Sequence, residues 1–126
     1  MEVPLVDLST QHRAVEAAVR AGFEEVLQAT SFIKGAAVAA FERDYARWLG
    51  VSHCVGVGNG TDAIWLTLMA LGIGPGDECI TTTNTFFATA EAIWIAGATA
   101  VFVDSDPLTN CIDPSKIEAA ITPKTK

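Results

Sequence analysis

The strongest candidate for chemistry in this chain of 126 residues is a glycine-rich turn, GVGNGTDA, at residues 56–63. It joins an apolar run to a helical pattern, and the first N–H groups of a helix have no partner within the helix. Those N–H groups and the positive end of the helix dipole attract anions, while glycines let a ligand approach the backbone closely. We therefore predict that Gly60 and Thr61 bind a phosphate group, with the Thr61 hydroxyl as a further donor. The alternative is a plain turn capped by Asn59 or Thr61.

Two common phosphate-binding loops are excluded by the details of this turn. A dinucleotide site has the pattern GxGxxG and an acidic residue at the carboxyl end of the next strand. This turn has GxGxG, and the next predicted strand ends in TTN at residues 82–84, with Asp77 and Glu78 at its other end. A nucleoside-triphosphate loop needs Gly-Lys-Ser/Thr, which the sequence lacks. If the turn binds a phosphate, that phosphate belongs to a ligand of another class.

Two adjacent aromatic residues, Phe86 and Phe87, follow the second predicted strand. Ligands of open parallel sheets bind at the carboxyl ends of the strands. A ring at this position can stack on a planar ligand whose phosphate lies at Gly60 and Thr61. The alternative is that both rings pack in the core at the start of the next helix. Stacking is favoured for Phe86 and core packing for Phe87.

Two carboxylates, Asp104 and Asp106, follow the third predicted strand. They could form an acid/base pair, hold a metal ion or contact a protonated ring nitrogen. Because Asp106 precedes a proline and aspartate is a common turn former, a polar turn is favoured instead. His12 and His53 have no Cys or Asp partner at metal or triad spacing, and we predict no metal site.

The elements that would position these residues alternate after residue 50. The sequence predicts helices at 11–30 and 37–49, the second capped by Gly50. After residue 50 the sequence predicts three strands, at 54–57, 78–82 and 99–103, which alternate with helices at 61–71, 86–96 and 116–121. Asp113 and Pro114 open the last helix. This alternation is typical of an α/β fold with a mainly parallel sheet and helices on both faces. We predict an N-terminal helical segment at 1–50 and the start of a larger domain at 51–126.

The pattern also predicts a further strand after the last residues, 123–126. A three-stranded parallel sheet has long apolar edges that proteins usually protect. We therefore expect a fragment of a longer protein, in preference to a small domain that pairs its sheet edge with a partner.

Composition limits the partners of the chain. The formal net charge is -7, which argues against binding to nucleic acid or to an anionic membrane surface. The apolar stretch 86–103 contains Glu91 and Gly97, so a buried helix followed by a strand is favoured over a membrane span. Three cysteines without CxxC spacing argue against a disulfide framework, and the acidic N-terminus does not resemble a signal peptide. We expect a cytoplasmic protein.

Several segments, in order, resemble the DegT/DnrJ/EryC1/StrS family of sugar aminotransferases. The similarity covers essentially the whole chain, including VPLVDL at 3–8 and FIKG at 32–35. The other matching segments are GVGNGTDA at 56–63, ALGIGPGDE at 70–78, NTFFATA at 84–90, GATAVFVDSD at 97–106 and IDPSKIEAAITPKTK at 112–126.

The resemblance implies the aspartate aminotransferase-like fold, known as fold type I, with pyridoxal 5'-phosphate (PLP) as cofactor. Gly60 and Thr61 match the turn that binds the cofactor phosphate, and Phe86 matches the aromatic residue that stacks on the pyridine ring. The implied reaction transfers an amino group, with glutamate as the expected donor, to a nucleotide-linked keto-sugar. Some relatives are dehydratases that use the same cofactor. The family also implies a homodimer with segment 32–35 near the subunit interface.

The resemblance further implies that the Schiff-base lysine and the aspartate beside the pyridine nitrogen lie beyond residue 126. None of the chain's lysines matches that lysine, so we assign no catalytic residue and expect no transaminase activity from the chain alone. Two alternatives remain at this point: a phosphate-binding module without catalysis, and an interaction domain that uses its sheet edge.

Overall fold

The computed structural model describes residues 3–126 as helices α1–α5 and strands β1 and β2. In chain order these are α1 (Ser9–Gln28), α2 (Ala36–Leu49), α3 (Gly60–Ala70), β1 (Glu78–Thr82), α4 (Ala88–Ile95), β2 (Thr99–Val103) and α5 (Pro114–Ala120). Each predicted helix is present with its ends shifted by at most two residues, and the two strands have the predicted bounds. The contacts divide the chain into two compact units, and the boundary between them in the sequence follows Gly56.

The first unit contains α1 and α2. Helix α2 ends at Gly50, which has a left-handed φ of 72°, as predicted for a glycine cap. The N–H of Gly50 donates to the carbonyl of Arg47, and the N–H of Val51 donates to that of Ala46. These bonds satisfy carbonyls that the helix leaves free at its end.

The second unit contains α3 to α5 around a parallel pair of strands. Strands β1 and β2 pair in register from Glu78 opposite Thr99 to Thr82 opposite Val103. Helix α4 connects them and packs on both, while α3 packs on α4 and α5 packs on β2. A small core lies between α4 and the sheet and consists of Cys79, Ile93 and Ala98. Three partly buried apolar residues pack against it: Leu68 of α3, Ile73 and Ala100.

Glycine turns bring the amino ends of both strands together. Gly76, with a φ of 95°, precedes β1, and Gly97, with a φ of 85°, precedes β2. A Cβ on Gly97 would lie 3.1 Å from ring carbons of Pro75, so this glycine is needed for packing as well as for its φ. The N–H of Thr99 donates to the carbonyl of Asp77 at 2.9 Å and aligns the two strands.

The predicted strand at 54–57 is wrong, and the sheet of the described residues has two strands instead of three. A strand exists through its ladder of hydrogen bonds to a neighbour, and none pairs with this run within residues 3–126. The N–H of Gly56 donates instead to the carboxylate of Glu42 on α2, at 2.8 Å. The sheet pairing inferred from the apolar pattern therefore does not form, and Val55 and Val57 are exposed.

The second edge of β1 is met by the last residues of the chain. Glu78 forms a parallel bridge with Thr125. The N–H of Glu78 donates to the carbonyl of Lys124, and the N–H of Lys126 donates to the carbonyl of Glu78. The Thr122 hydroxyl also bonds the Glu78 carboxylate. The amino end of β1 is therefore paired on both sides.

The apolar stretch 86–103 divides as predicted into a helix, α4, and a strand, β2, separated by Gly97. Across residues 3–126, no helix combines the length and the apolar character that crossing a bilayer requires.

Candidate phosphate-binding site

Helix α3 begins with a side-chain cap that leaves two backbone amides free. Asn59 is extended, with a φ of -165°, and its side-chain oxygen accepts from the N–H of Asp62 at 2.9 Å. The backbone carbonyl of Asn59 accepts from the N–H of Ala63 at 3.1 Å. Within the described residues, the N–H groups of Gly60 and Thr61 and the Thr61 hydroxyl have no hydrogen-bond partner. The predicted Asn59 cap is confirmed, and it uses only one of the amides that an anion could bind.

The carboxylate of Asp62 lies in the same first turn and is held by two side chains. Asn59 Nδ2 donates to its Oδ2 at 3.1 Å, and the indole Nε1 of Trp65 donates to its Oδ1 at 3.1 Å. Both carboxylate oxygens therefore have partners other than the free amides. Trp65 is not among the residues nominated from sequence, although its position three residues after Asp62 places the two on one helix face.

The two glycines of the turn differ in what surrounds them. A Cβ on Gly58 would lie 2.6 Å from Oδ2 of Asp62, so a side chain there would require this carboxylate to move. A Cβ on Gly60 would meet no atom within 4 Å. Gly60 is therefore not required by contacts within the described residues, and the space beside it is open to a ligand.

Phe86 and Phe87 are both exposed, with relative accessibilities of 81% and 72%. The prediction that Phe87 packs in the core is wrong, because α4 buries Ala88, Ala92 and Ile93 instead. Phe87 lies on the opposite face of the helix with Glu91 and Trp94, at helical spacing, where these three residues line an open cavity of about 270 Å³. Phe86 presents an uncovered ring, which is compatible with the predicted stacking.

The free amides and Phe86 lie toward the same edge of the second unit. Helices α3 and α4 pack together, and each is followed by a short turn into the amino end of a strand. Both helices therefore run against the strands, and their amino ends lie toward the carboxyl edge of the sheet. This is the edge where ligands of parallel sheets bind. The three residues nominated from sequence, Gly60, Thr61 and Phe86, thus lie toward the same edge of the second unit, and their joint role in binding stays a prediction.

Asp106 forms a turn, as the sequence favoured. Its Oδ1 accepts from the backbone N–H groups of Leu108 and Thr109 at 3.0 and 2.8 Å, and from the Thr109 hydroxyl at 3.0 Å. Hydrogen bonds from Thr109, with a smaller contribution from Leu108, hold the pKa of Asp106 below its usual value. Asp104 lies 3.5 Å from the Lys116 ammonium group. In residues 3–126, no three potential metal-binding side chains are grouped together.

The segment at 32–35 joins α1 to α2 and exposes two large apolar residues. Phe32 and Ile33 are both exposed, and Lys34 has a left-handed φ of 46°. That this segment lies near a subunit interface stays a prediction.

Comparisons with known proteins agree with the resemblance. Residues 14–126 match the DegT/DnrJ/EryC1/StrS aminotransferase family. A pleiotropic regulatory protein of Geobacillus stearothermophilus is 49% identical over 126 residues, which are all of this chain and 34% of the relative. The UDP-2-acetamido-2-deoxy-3-oxo-D-glucuronate aminotransferase of Pseudomonas aeruginosa is 43% identical over 124 residues, which are 98% of this chain and 34% of the enzyme. The chain thus spans about a third of the length of these relatives.

Solved structures of aminotransferases share the fold. DesV of S. venezuelae, in complex with a ketimine intermediate, superposes with a TM-score of 0.94 at 37% identity, over 98% of this chain and 33% of that one. NtdA of Bacillus subtilis, with its cofactor PMP bound, superposes with a TM-score of 0.87 at 36% identity, over 99% of this chain and 29% of that one. The chain has the α/β fold of PLP-dependent aminotransferases and belongs to the DegT/DnrJ/EryC1/StrS aminotransferase family.

Proposed function

We propose that this chain is the amino-terminal part of a PLP-dependent aminotransferase that acts on a nucleotide-linked keto-sugar, with glutamate as amino donor. One observation carries the proposal: among residues 3–126, the N–H groups of Gly60 and Thr61 have no partner at the start of α3, and a Cβ on Gly60 would meet no atom within 4 Å. A turn that served only to connect elements would not need glycine at position 60. The names of the relatives, several of which are sugar aminotransferases, supply the substrate class.

The residues present fit the phosphate of PLP. Gly60 and Thr61 offer two backbone N–H groups, and Thr61 adds a hydroxyl, at the positive end of an 11-residue helix. Hydrogen bonds to a charged oxygen are about twice as strong as those between neutral groups. Thr61 is half-buried, so its donors are partly shielded from water. These two residues would hold the phosphate and fix the position of the rest of the cofactor.

Phe86 would hold the ring of the cofactor. Its side chain is uncovered at the start of α4, and an offset stack on a planar ring adds about 0.5–1.5 kcal/mol beyond the area that it buries. When bound, PLP supplies the electron sink that amino-group transfer requires. The role of this chain is then to anchor the cofactor at its phosphate and one ring face, and to exclude water from that face.

The covalent attachment of the cofactor is proposed to come from residues beyond this chain. The ammonium group of Lys116 lies 3.5 Å from the carboxylates of both Asp104 and Asp113 and is engaged in those pairs. We assign no catalytic lysine among the residues of this chain. The 126 residues alone are expected to show no amino transfer.

The test is a PLP titration of the complete protein, followed by absorbance, with substitutions at Thr61. Thr61→Val removes the hydroxyl at nearly constant volume and is expected to weaken binding about tenfold, since a hydrogen bond to a charged group contributes about 1.5–3 kcal/mol. Thr61→Ser keeps the hydroxyl and serves as the matched control. Equal PLP affinity in the valine variant and the wild type would contradict the assigned phosphate site.

A second assay separates the enzyme from a binding module. The complete protein is incubated with glutamate and a UDP-linked 3-keto-sugar, and 2-oxoglutarate is measured. Formation of 2-oxoglutarate with the amino sugar supports the proposal. PLP binding without amino transfer from any donor to that class of sugar would favour a non-catalytic module.

A further inference from the structure

The first turn of α3 contains a charge that opposes the function proposed for it. Asp62 is the third residue of the helix and is half-buried, and its carboxylate lies in the turn that would bind a phosphate dianion. In a capping box, a Glu or Gln at this third position reaches back to the backbone N–H of the N-cap residue, here Asn59. A carboxylate of Asp62 turned in that direction would bring its negative charge toward the free amides of Gly60 and Thr61 and would repel the phosphate.

The structure directs this carboxylate elsewhere. Asn59 Nδ2 occupies one carboxylate oxygen and Trp65 Nε1 occupies the other, each at 3.1 Å. The Oδ2 atom also lies over Gly58, where no side chain obstructs it. Within the described residues, Asp62 accepts no hydrogen bond from the N–H of Gly60 or Thr61.

The two donors differ in how firmly they are placed. Asn59 is exposed at the turn and already uses its amide oxygen as the helix cap. Trp65 is half-buried one turn further along the same helix and donates through the only polar atom of its side chain. Its indole N–H therefore holds the Asp62 carboxylate toward Trp65, which lies further along the helix, and away from the first residues of α3.

We propose that Trp65 is a positioning residue for the phosphate site. By holding the Asp62 carboxylate, its indole N–H keeps the amides of Gly60 and Thr61 available to the phosphate. This inference rests on the proposed function, because it concerns the affinity of that same site for PLP. It assigns Trp65 no contact with the cofactor.

The test compares PLP affinity and pyridoxal affinity in the complete protein, using Trp65→Phe. The phenylalanine keeps an aromatic ring and removes the N–H. PLP affinity is expected to fall about fivefold, which is less than the direct loss of a hydrogen bond to the phosphate would give, because Trp65 acts only through Asp62. Affinity for pyridoxal, which has no phosphate, should stay unchanged. Trp94→Phe, at an exposed position on α4, is the matched control and should change neither affinity.

A double-mutant cycle identifies Asp62 as the intermediary. In an Asp62→Asn background the charge to be held is absent, so Trp65→Phe should change PLP affinity by less than about 1.5-fold. The single variant Asp62→Asn, in which Trp65 is kept, should bind PLP at least as tightly as the wild type. The proposal is overturned if Trp65→Phe has the same effect in both backgrounds, if pyridoxal affinity falls in parallel, or if Asp62→Asn weakens PLP binding. A wild-type protein that binds no PLP would instead overturn the proposed function itself.

Discussion

The carboxylate of Asp62 lies where a side chain on Gly58 would have to go, with Oδ2 only 2.6 Å from the position of that Cβ. Since Gly60 has no such neighbour, the two glycines of one turn are expected to respond differently to the same substitution. A side chain at Gly58 would disturb the Asp62 carboxylate, whereas Gly60 is proposed to be required by the ligand.

Gly58→Ala should destabilise the protein and Gly60→Ala should not. The new methyl at 58 displaces the Asp62 carboxylate from Asn59, which is expected to cost about 1–2 kcal/mol in the free energy of unfolding. At 60 the methyl enters open space at the start of a helix, where alanine is a better helix former than glycine, so stability should hold within about 0.5 kcal/mol.

PLP titration then separates the two roles. Gly60→Ala should weaken PLP binding more than about tenfold, because its methyl occupies space proposed for the phosphate. Urea unfolding and absorbance titration measure the two effects on the same samples. A Gly60→Ala protein that binds PLP normally would show that the open space is not used by the cofactor.

Asn59→Ala should lower both stability and PLP affinity. It removes the side-chain acceptor for the N–H of Asp62 and one of the donors to its carboxylate. Loss of such a cap typically costs about 1 kcal/mol. Asn59→Ser keeps a capping oxygen but cannot donate as Nδ2 does, so it should recover the stability more fully than the affinity. Urea midpoints and PLP titration check this order, and equal recovery of both would contradict it.

Lowering the pH should reduce the free energy of unfolding more in the wild type than in the Asp106→Asn variant. The pKa of Asp106 is held below its usual value by hydrogen bonds from Thr109 and Leu108. A carboxyl group whose pKa is lower in the folded state stabilises the fold above its unfolded pKa, and this stabilisation is lost as pH falls through the folded value. The difference should therefore develop as pH falls below the ordinary aspartate value of 3.8.

The measurement is the urea midpoint of each protein from about pH 5 down to about pH 2.5. Asparagine keeps the Oδ1 acceptor and does not titrate, which makes it a suitable control. Asp113 has a lowered pKa through its bonds to Ser115 and contributes the same trend to both proteins. Parallel pH profiles would contradict the role assigned to Asp106.

Gly97→Ala should lower the stability of the fold, and Gly22→Ala should raise it. Gly97 has a φ of 85°, and an added Cβ would lie 3.1 Å from Pro75. Alanine there would have both an unfavourable backbone conformation and a close contact, so the free energy of unfolding should fall by more than about 1 kcal/mol. Gly22 lies inside α1, and an added Cβ would meet no atom within 4 Å. Replacing an interior helix glycine by alanine should add about 0.5–1 kcal/mol. Thermal unfolding of both variants tests the contrast.

Local patterns predicted the helices because their causes are local. The Gly50 cap, the Asp113 cap followed by Pro114, and the apolar periodicities each depend on residues within one or two turns. The paired strands were also found, since their β-branched residues lie between clear turn residues. The strand at 54–57 failed because its existence depends on a partner that no local pattern specifies.

The site was predicted only in part for a similar reason. Glycine spacing nominated Gly60 and Thr61, and their role in cofactor binding stays a prediction, as does that of Phe86. The contact between Asp62 and Trp65 depends on two side-chain rotamers, which the sequence does not display. The exposure of Phe87 depends on which face α4 buries, and that choice is made by the small residues Ala88 and Ala92.

The bridge between Glu78 and Thr125 has a consequence for the order of folding. It encloses a loop roughly twice as long as the one that the pairing of Glu78 with Thr99 closes. Since each doubling of a loop costs only about 0.6 kcal/mol in closure entropy, the tail can join β1 soon after β2 does. Early docking of residues 122–126 would shield the amino end of β1 from intermolecular association during folding.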